Sequence, residues 1–584
     1  MTDETFSVWA PHRERVRLAI GSDRYEMTRD DRGWWHAEVR GAADTDFAFV
    51  LDGEGIDYAF LLDDEETPLP DPRSRWQPAG VHGPSRRYDH GAFAWTDTGW
   101  TGRPLAGGVI YELHVGTFTE QGTFDAAIER LDHLVELGVD FVEVQPVNAF
   151  DGTAGWGYDG VAWGAVHDPY GGPTAFKRFV DACHGRGMGV LLDVVYNHLG
   201  PSGAYLDRFG PYFAGSTIWG PTLNLDGPDS AEVRRYVIDN ALDWLRHYHL
   251  DGLRLDAVHA LTDRGATHLL EELARETDAL SAGLRRPLHL IAESDLNDPK
   301  LVTSRDAGGF GLEAQWCDDL HHALHVALTG ETDGYYADFG QPGALLTTLR
   351  GAYFHAGTWS SFRRRTHGRP IDPSRHSGHR FLIYLQNHDQ IGNRAQGDRM
   401  TATISTKRML CGAAIMLCSP YTPMLFMGEE WAASSPWQFF ASFEDEELAA
   451  AVRNGRRKEF AEHGWGESEV PDPMDPATVK RSTLRWSELD EPGHRAVYDT
   501  YRQLIALRRA HPELADPRLD EFQVEGRDSY LVLSRGQRRL VVNLGTEEAK
   551  VLLDLQPGEP LLASAAAEVT GTHVTVPAES FVLF

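Results

Sequence analysis

Carboxylates, imidazoles and one guanidinium recur at the ends of short apolar runs through the middle of this chain, and those residue types suit acid–base and nucleophilic chemistry. Asp193, Asn197 and His198 end or follow Val190-Leu191-Leu192. Arg254, Asp256 and His259 lie in or after Leu253-Arg254-Leu255, Glu293 follows Leu290-Ile291-Ala292, and Asn387, His388 and Asp389 follow Leu382-Ile383-Tyr384-Leu385. A lone carboxylate after a strand is ordinarily a cap or an ion-pair partner. Three that converge on one face have a specific use: in retaining glycoside hydrolysis one attacks the anomeric carbon while a protonated partner, about 5 to 5.5 Å away, protonates the leaving oxygen. Arg254 stands two positions before Asp256, so on a strand both side chains face the same way and the guanidinium keeps the carboxylate ionised. Glu293 in the other role needs burial near negative charge to hold its proton, and Asp389 can supply that charge.

The elements that must position these groups are legible as eight runs: Val109-Ile110-Tyr111, Phe141 to Val144, Val190 to Val194, Leu253 to Asp256, Leu288 to Ile291, Leu312-Glu313-Ala314, Leu382 to Leu385 and Met424 to Met427. Between them Phe124 to Leu137, Ala175 to Gly185, Glu232 to Tyr248 and Thr401 to Cys418 carry helical spacing. This β/α alternation predicts an α/β chain with a (β/α)8 barrel, whose chemistry belongs at the C-terminal ends of its strands. A doubly wound sheet is the rival; chemistry at several run ends favours the barrel. Residues 1–90 alternate apolar with polar side chains and turn at Asp31-Arg32-Gly33 and Asp52-Gly53, which predicts an N-terminal β-sandwich. Pro68 to Pro84 reads as an irregular connection. Strand patterns return late in the chain, as in Tyr530 to Leu533. The expected division is a sandwich over 1–90, a barrel over 91–512 with a short insertion at about 199–226, and a C-terminal antiparallel β domain over 513–584.

At the carboxylate-bearing segments the chain resembles the α-amylase family of glycoside hydrolases. The four family blocks stand as Asp193-Val194-Val195-Tyr196-Asn197-His198, Gly252-Leu253-Arg254-Leu255-Asp256, Ile291-Ala292-Glu293 and Asn387-His388-Asp389, in the family's order. The resemblance implies that Asp256 is the nucleophile, Glu293 the acid/base and Asp389 the carboxylate that orients substrate and supports developing positive charge. It further implies that His198, Arg254 and His388 hold the sugar of the −1 subsite, with Tyr158 of Trp156-Gly157-Tyr158 stacked beneath it. Within the family, the N-terminal β segment is similar to the sandwich that precedes the barrel in branching enzymes, isoamylases and trehalohydrolases. Leu69 to Ser85, Gly157-Tyr158-Asp159-Gly160, His167 to Pro173 and Gln315 to His322 closely resemble the malto-oligosyltrehalose trehalohydrolases. That likeness implies cleavage of the α-1,4 bond next to the trehalose end of a malto-oligosyltrehalose, a partner enzyme that makes this substrate from maltodextrin, and further substrate-binding residues in His259, Trp316, Asp318 and His322. A glycogen branching or debranching enzyme uses the same three carboxylates, and a catalytically silent glucan-binding protein is the alternative outside enzymology. Where many α-amylases carry Lys-His after the nucleophile, this chain has Val258-His259, which departs from an amylase-like +2 subsite.

The reaction so implied needs no cofactor. No metal is expected either, because Leu199 to Asp226 is short and lacks the clustered Asp and Asn side chains of a calcium-dependent domain. His321 and His325 stand at i and i+4, a spacing that can chelate zinc, but without a partner motif they read as part of a capped helix start near the sixth run. Gly185-Arg186-Gly187-Met188-Gly189 precedes a strand and reads as a helix-to-strand turn, not a phosphate loop. Glu429-Glu430-Trp431 follows the eighth run, either bordering the cleft or placing acids at a helix start. In 584 residues, 55 Lys and Arg against 87 Asp and Glu leave a formal charge of −32, which repels nucleic acid and anionic lipid. Four cysteines, at 183, 317, 411 and 418, are too few for a disulfide framework, and no apolar run reaches the ~18 residues of a membrane span. A cytoplasmic location is expected.

Overall fold

In a computed structural model, residues 4–39, 55–217, 220–461, 470–527 and 529–584 are described. The expected turn at Asp52-Gly53 lies outside them.

The eight runs form eight parallel strands: β1 (Ile110–Leu113), β2 (Phe141–Val144), β3 (Gly189–Val194), β4 (Gly252–Leu255), β5 (His289–Ala292), β6 (Ala314–Trp316), β7 (Phe381–Ile383) and β8 (Thr422–Phe426). Each pairs with the next, and β8 pairs with β1, so the sheet closes in chain order and the doubly wound alternative is excluded. The sixth strand differs from expectation. Leu312 and Glu313 precede it, because β6 takes its register from Ile291 paired with Ala314, and Trp316 is therefore its last residue and not part of the segment that follows.

Side chains two apart on a strand share a face, and this alternation divides the barrel interior into two layers. Ile110, Phe141, Leu191, Ile291, Ala314, Leu382 and Met424 belong to one apolar cluster. Two residues further along the same strands come Glu112, Glu143, Asp193 and Glu293, with Arg254 two after Gly252. Gly252 is required where it stands, since a Cβ there would lie 2.4 Å from the carbonyl oxygen of His289 on β5.

Helices wrap the barrel by their apolar stripes. Ser230–His247 buries Val233, Tyr236, Val237, Ala241, Trp244 and Leu245, three or four positions apart. The stretch from Phe124 to Leu137 is two helices, Phe124–Ile128 and Leu131–Leu137. Antiparallel sheets flank the barrel at both chain ends. The N-terminal part has a three-stranded and a four-stranded sheet, and it packs on the 199–226 insertion through Trp9 against Tyr212 (ring centroids 5.1 Å) and Arg13 Nε donating to Arg208 O (2.8 Å). The C-terminal part has sheets of five and three strands closed over Val541, Val551, Val574, Val576 and Phe584.

The connection entering the barrel is pinned by a buried charge network. His184, fully buried, donates Nδ1–H to Asp97 Oδ2 (2.8 Å) and Nε2–H to Asp251 Oδ2 (3.0 Å); Trp100 Nε1 and Arg286 Nη1 also donate to Asp251, at 2.8 and 3.1 Å. Burial opposes charge on this imidazole, but hydrogen bonds from Asp251 and Asp97 raise its pKa above the ordinary value. A raised histidine pKa contributes stability that is fully present below the unfolded value near 6.5 and fades as pH rises through the folded one. Replacing His184 with Gln leaves two buried carboxylates short of a cation, at a cost of about 3 kcal/mol. We expect a Tm several degrees below wild type at pH 6 and a gap that narrows toward pH 9, read by calorimetry across that range.

Candidate active site

The four sequence blocks meet at the C-terminal mouth of the barrel around one guanidinium. Arg254, with no exposed surface, donates Nη1–H to both oxygens of Asp193 at 2.9 Å and to Asp256 Oδ1 at 2.7 Å, and its Nη2 lies 3.8 Å from Glu293 Oε2. The Trp316 ring covers the cation, its centroid 4.3 Å from Arg254 Cζ, a face-on arrangement that stabilises a desolvated cation. Asp193 and Arg254 are buried, while Asp256, Glu293, Asp389 and Asp318 keep partial exposure above them.

Asp256 is held at both oxygens. Asn197 Nδ2 donates to Oδ2 at 2.6 Å and to the Asp256 carbonyl at 3.1 Å, while Arg254 takes Oδ1. His198 Nδ1 in turn donates to Asn197 Oδ1, and its other nitrogen meets the Tyr158 carbonyl at 3.0 Å. The next residue, Ala257, is left-handed (φ 40°), a conformation that costs of order 1–3 kcal/mol outside glycine and that persists where the surroundings hold it. Its N–H is thereby aimed at Glu293 Oε2, 2.5 Å away. Glu293 Oε2 therefore acts as an acceptor, which leaves Oε1 to carry a proton.

Burial pushes the Glu293 carboxyl up to about 8; Arg254 opposes this, and the charges of Asp256, Asp318 and Asp389 reinforce it, in that order. The expected role of Asp389 is thus shared with two larger contributors. Burial likewise raises Asp193 to about 6 against the pull of Arg254. His388 is the counterpart: burial disfavours its charge, yet Asp389 and then Glu112 hold it up to about 9. Its Nδ1 donates to Glu112 Oε1, and its Nε2 lies 3.5 Å from Asp389 Oδ2. Tyr158 stacks on the His388 ring (centroids 5.0 Å, 19° between planes) and donates its hydroxyl to Asp193 Oδ2 at 2.5 Å, so one face of the phenol is committed to the imidazole.

The remaining expected residues divide. Asp318 opens the helix Asp318–Thr329 and accepts from Tyr384 Oη at 2.5 Å; burial raises it to about 6, with Asp295 and Asp389 adding to the shift. His259 is exposed on a 3-10 turn, Val258–Ala260. Trp316 is 2% exposed, a cover for Arg254 and not an open platform for a sugar. His322 is enclosed by the rings of Tyr335, Tyr336 and Phe339 at 4.8 to 5.3 Å, and burial lowers its pKa to about 3. It stands four residues after Asp318, one turn along the same face of this helix.

The weaker signals resolve by contact. His321 stacks on His325 (5.5 Å) and on Tyr384 (5.7 Å), and His325 Nε2 meets Glu331 Oε2 at 2.9 Å; among the described residues no three His, Cys, Asp or Glu side chains are grouped to hold a metal. The expected cap is absent there, since the Cys317 side chain at the N-cap bonds to the Ala352 carbonyl (3.2 Å) and not to the helix N-terminus. Glu429 and Glu430 are fully buried and bonded to Tyr501 and to Tyr111 and His133, so they tie the barrel to its helices and do not border the cleft. The Gly185–Gly189 stretch is a helix-to-strand turn.

Glu112 and Glu143 went unnoticed in the sequence. Each is a carboxylate inside an apolar run, two residues past an inward-facing Ile110 or Phe141, and that period of two is the signal that marks it. The titration of Glu293 can be read directly: the carboxylate band in infrared difference spectra, wild type minus Glu293→Gln, should grow in with a midpoint near pH 8. A midpoint below pH 6 would contradict the environment described.

A family model described as the alpha amylase catalytic domain matches residues 92–211, and a domain of unknown function matches residues 517–583. The chain is 54% identical over 564 residues, 96% of its length and 95% of the relative's, to a malto-oligosyltrehalose trehalohydrolase of Mycobacterium tuberculosis. It is 56% identical over 543 residues, 92% of each chain, to one from Arthrobacter ramosus. Among solved structures, a Salmonella typhimurium chain provisionally assigned as an alpha amylase superposes with a TM-score of 0.90 at 38% identity, covering 100% of this chain and 98% of that one.

Proposed function

The chain belongs to the malto-oligosyltrehalose trehalohydrolase family, and we propose on that premise that it hydrolyses the α-1,4-glucosidic bond next to the trehalose end of a malto-oligosyltrehalose, releasing trehalose and a maltodextrin. The observation that carries the chemistry is the contrast between two carboxylates on neighbouring strands. Asp256 accepts hydrogen bonds from a guanidinium and an amide, which favour the ionised form of a nucleophile. Glu293 is in surroundings that favour its proton. Two carboxyl groups kept in opposite states are what a retaining double displacement requires.

In the first half-reaction an Asp256 oxygen attacks the anomeric carbon of the −1 glucose while Glu293 Oε1 gives its proton to the glycosidic oxygen, so the trehalose unit leaves as an alcohol. The C–O bond that forms links maltodextrin to Asp256. In the second, Glu293, now a carboxylate, takes a proton from water as that water displaces Asp256. Two inversions restore the α configuration. Asp389 and the His388 imidazolium flank the −1 site, with Tyr158 beneath the sugar and His198 beside it. On the leaving-group side Asp318 and His259 are the groups available to trehalose hydroxyls.

We assign residues 1–90 to a carbohydrate-binding-like sandwich, 91–512 to the catalytic barrel and 513–584 to a C-terminal β domain. The breaks in strand pattern before Ile110 and after the helix Pro512–Ala515 support the division. An enzyme that converts the reducing end of maltodextrin to the 1,1-linked form must supply the substrate, and the two activities together make trehalose. Four buried free thiols support a reducing, cytoplasmic setting, and no helix among the described residues is long and apolar enough to cross a membrane.

Two experiments test this reading. Asp256→Asn and Glu293→Gln should each lower kcat by about 10³-fold or more while thermal unfolding stays near wild type; turnover within tenfold of wild type would overturn the roles given. Malto-oligosyltrehalose should release trehalose together with a maltodextrin whose new reducing end appears first as the α-anomer by NMR. Maltodextrin of equal length should be cleaved at least ~10-fold less efficiently, about 1.4 kcal/mol of transition-state binding. Comparable kcat/KM on both substrates, or new α-1,6 branches in amylose, would reject the trehalose-specific reading.

A further inference from the structure

Strand β1 grips His388 at two points. Glu112 Oε1 accepts from His388 Nδ1, and Glu112 Oε2 accepts from the His388 backbone N–H at 3.2 Å, so both oxygens of one carboxylate serve one residue. Glu112 and His388 are each 1% exposed, so water cannot replace either partner cheaply. The imidazole faces are fixed by other rings: Tyr158 stacks on it at 5.0 Å, and Trp156 and Trp316 approach at 5.9 Å. With the plane set by packing, the remaining choice is which nitrogens carry hydrogen. Nδ1 points at Glu112 and Nε2 at Asp389 Oδ2, 3.5 Å away. A neutral ring has one N–H, and its bare nitrogen would face a carboxylate lone pair. An imidazolium satisfies both sides.

We propose that Glu112 is a positioning residue for the hydrolysis, one that holds His388 as an imidazolium and aims its Nε2–H toward Asp389 at the edge of the −1 site. The inference rests on the reading of this mouth as the catalytic centre. The charged neighbours from each packed element balance in its favour. Asp389, from the same short helix His388–Gly392, and Glu112, from β1, favour the cation, and Arg254 from β4 opposes it; His114 at the end of β1, lowered to about 3 by burial, stays neutral. Asp193 on β3 is occupied by Arg254 and Tyr158. Glu143, the register partner of Glu112 on β2, is pushed far above the usual carboxylate range by burial and then by the charges of Glu112 and Asp193, so it stays neutral and does not compete for the cation. A sugar hydroxyl above Asp389 then meets a donor whose direction is set from below by Glu112, not by the substrate.

The test uses the full chain with ¹³Cε1-labelled histidine, the His388 resonance being the one missing in His388→Gln. In wild type the resonance should stay at the imidazolium position through pH 8. In Glu112→Gln its midpoint should fall by at least about one pH unit, kcat on malto-oligosyltrehalose should fall by about tenfold or more with KM changed by less than about threefold, and Glu112→Asp should recover part of both. A wild-type midpoint near the ordinary 6.5 overturns the proposal, as does a Glu112→Gln midpoint equal to wild type. If Glu112→Gln does not fold, the wild-type titration and the Glu112→Asp variant decide. Should wild type fail to cleave malto-oligosyltrehalose, the functional reading falls while the His388 titration still judges the role of Glu112.

Discussion

The rest of the site depends on one buried guanidinium. Arg254 has no exposed surface, and a cation so placed is tolerable only when its lost hydration is replaced on several sides. Asp193 replaces it with two hydrogen bonds, Asp256 with one, and the Trp316 ring with its π face. That arrangement has consequences in both directions. It stabilises Asp256 as an anion at the surface of the cleft, and it leaves Glu293, 3.8 Å from the same cation, without enough attraction to offset burial. One cation thus serves the two carboxyl groups unequally, touching Asp256 at 2.7 Å and approaching Glu293 only to 3.8 Å.

A second cation, His388, repeats the logic on the far side of the mouth. It too is buried, and it too is flanked by carboxylates on different elements, Glu112 and Asp389. Tyr158 joins the halves, stacked on His388 and bonded through its hydroxyl to the Asp193 that also receives Arg254. The charged layer is therefore a connected ring of groups and not a set of separate residues. Truncating one member disturbs the others, so variants within it are expected to combine non-additively. Below this layer the apolar plug from Ile110 to Met424 keeps bulk water from the underside, which maintains the low dielectric that makes these contacts strong.

What the sequence by itself determined was the class of chemistry and the frame that carries it. Eight apolar runs with helical spacing between them, and carboxylates at the ends of the third, fourth, fifth and seventh, favoured an α/β barrel with one functional mouth, because strand period and helix period are local properties written residue by residue; closure itself was settled by the strand pairing. Arg254 two residues before Asp256 was readable for the same reason. Tertiary structure alone decided three further matters. It decided register: β6 begins at Ala314 because Ile291 on β5 sets its pairing, and this turned Trp316 from a loop residue into the cover of Arg254. It also decided burial, which put Glu429 and Glu430 between the barrel and its helices and His322 among aromatic rings, since exposure depends on partners far away in sequence. The third was proton placement. Glu293 owes its state to burial and then to Asp256, Asp318 and Asp389, and His388 owes its charge to Asp389 and Glu112, groups brought together from separate strands and helices, and no spacing along the chain encodes a distance across it.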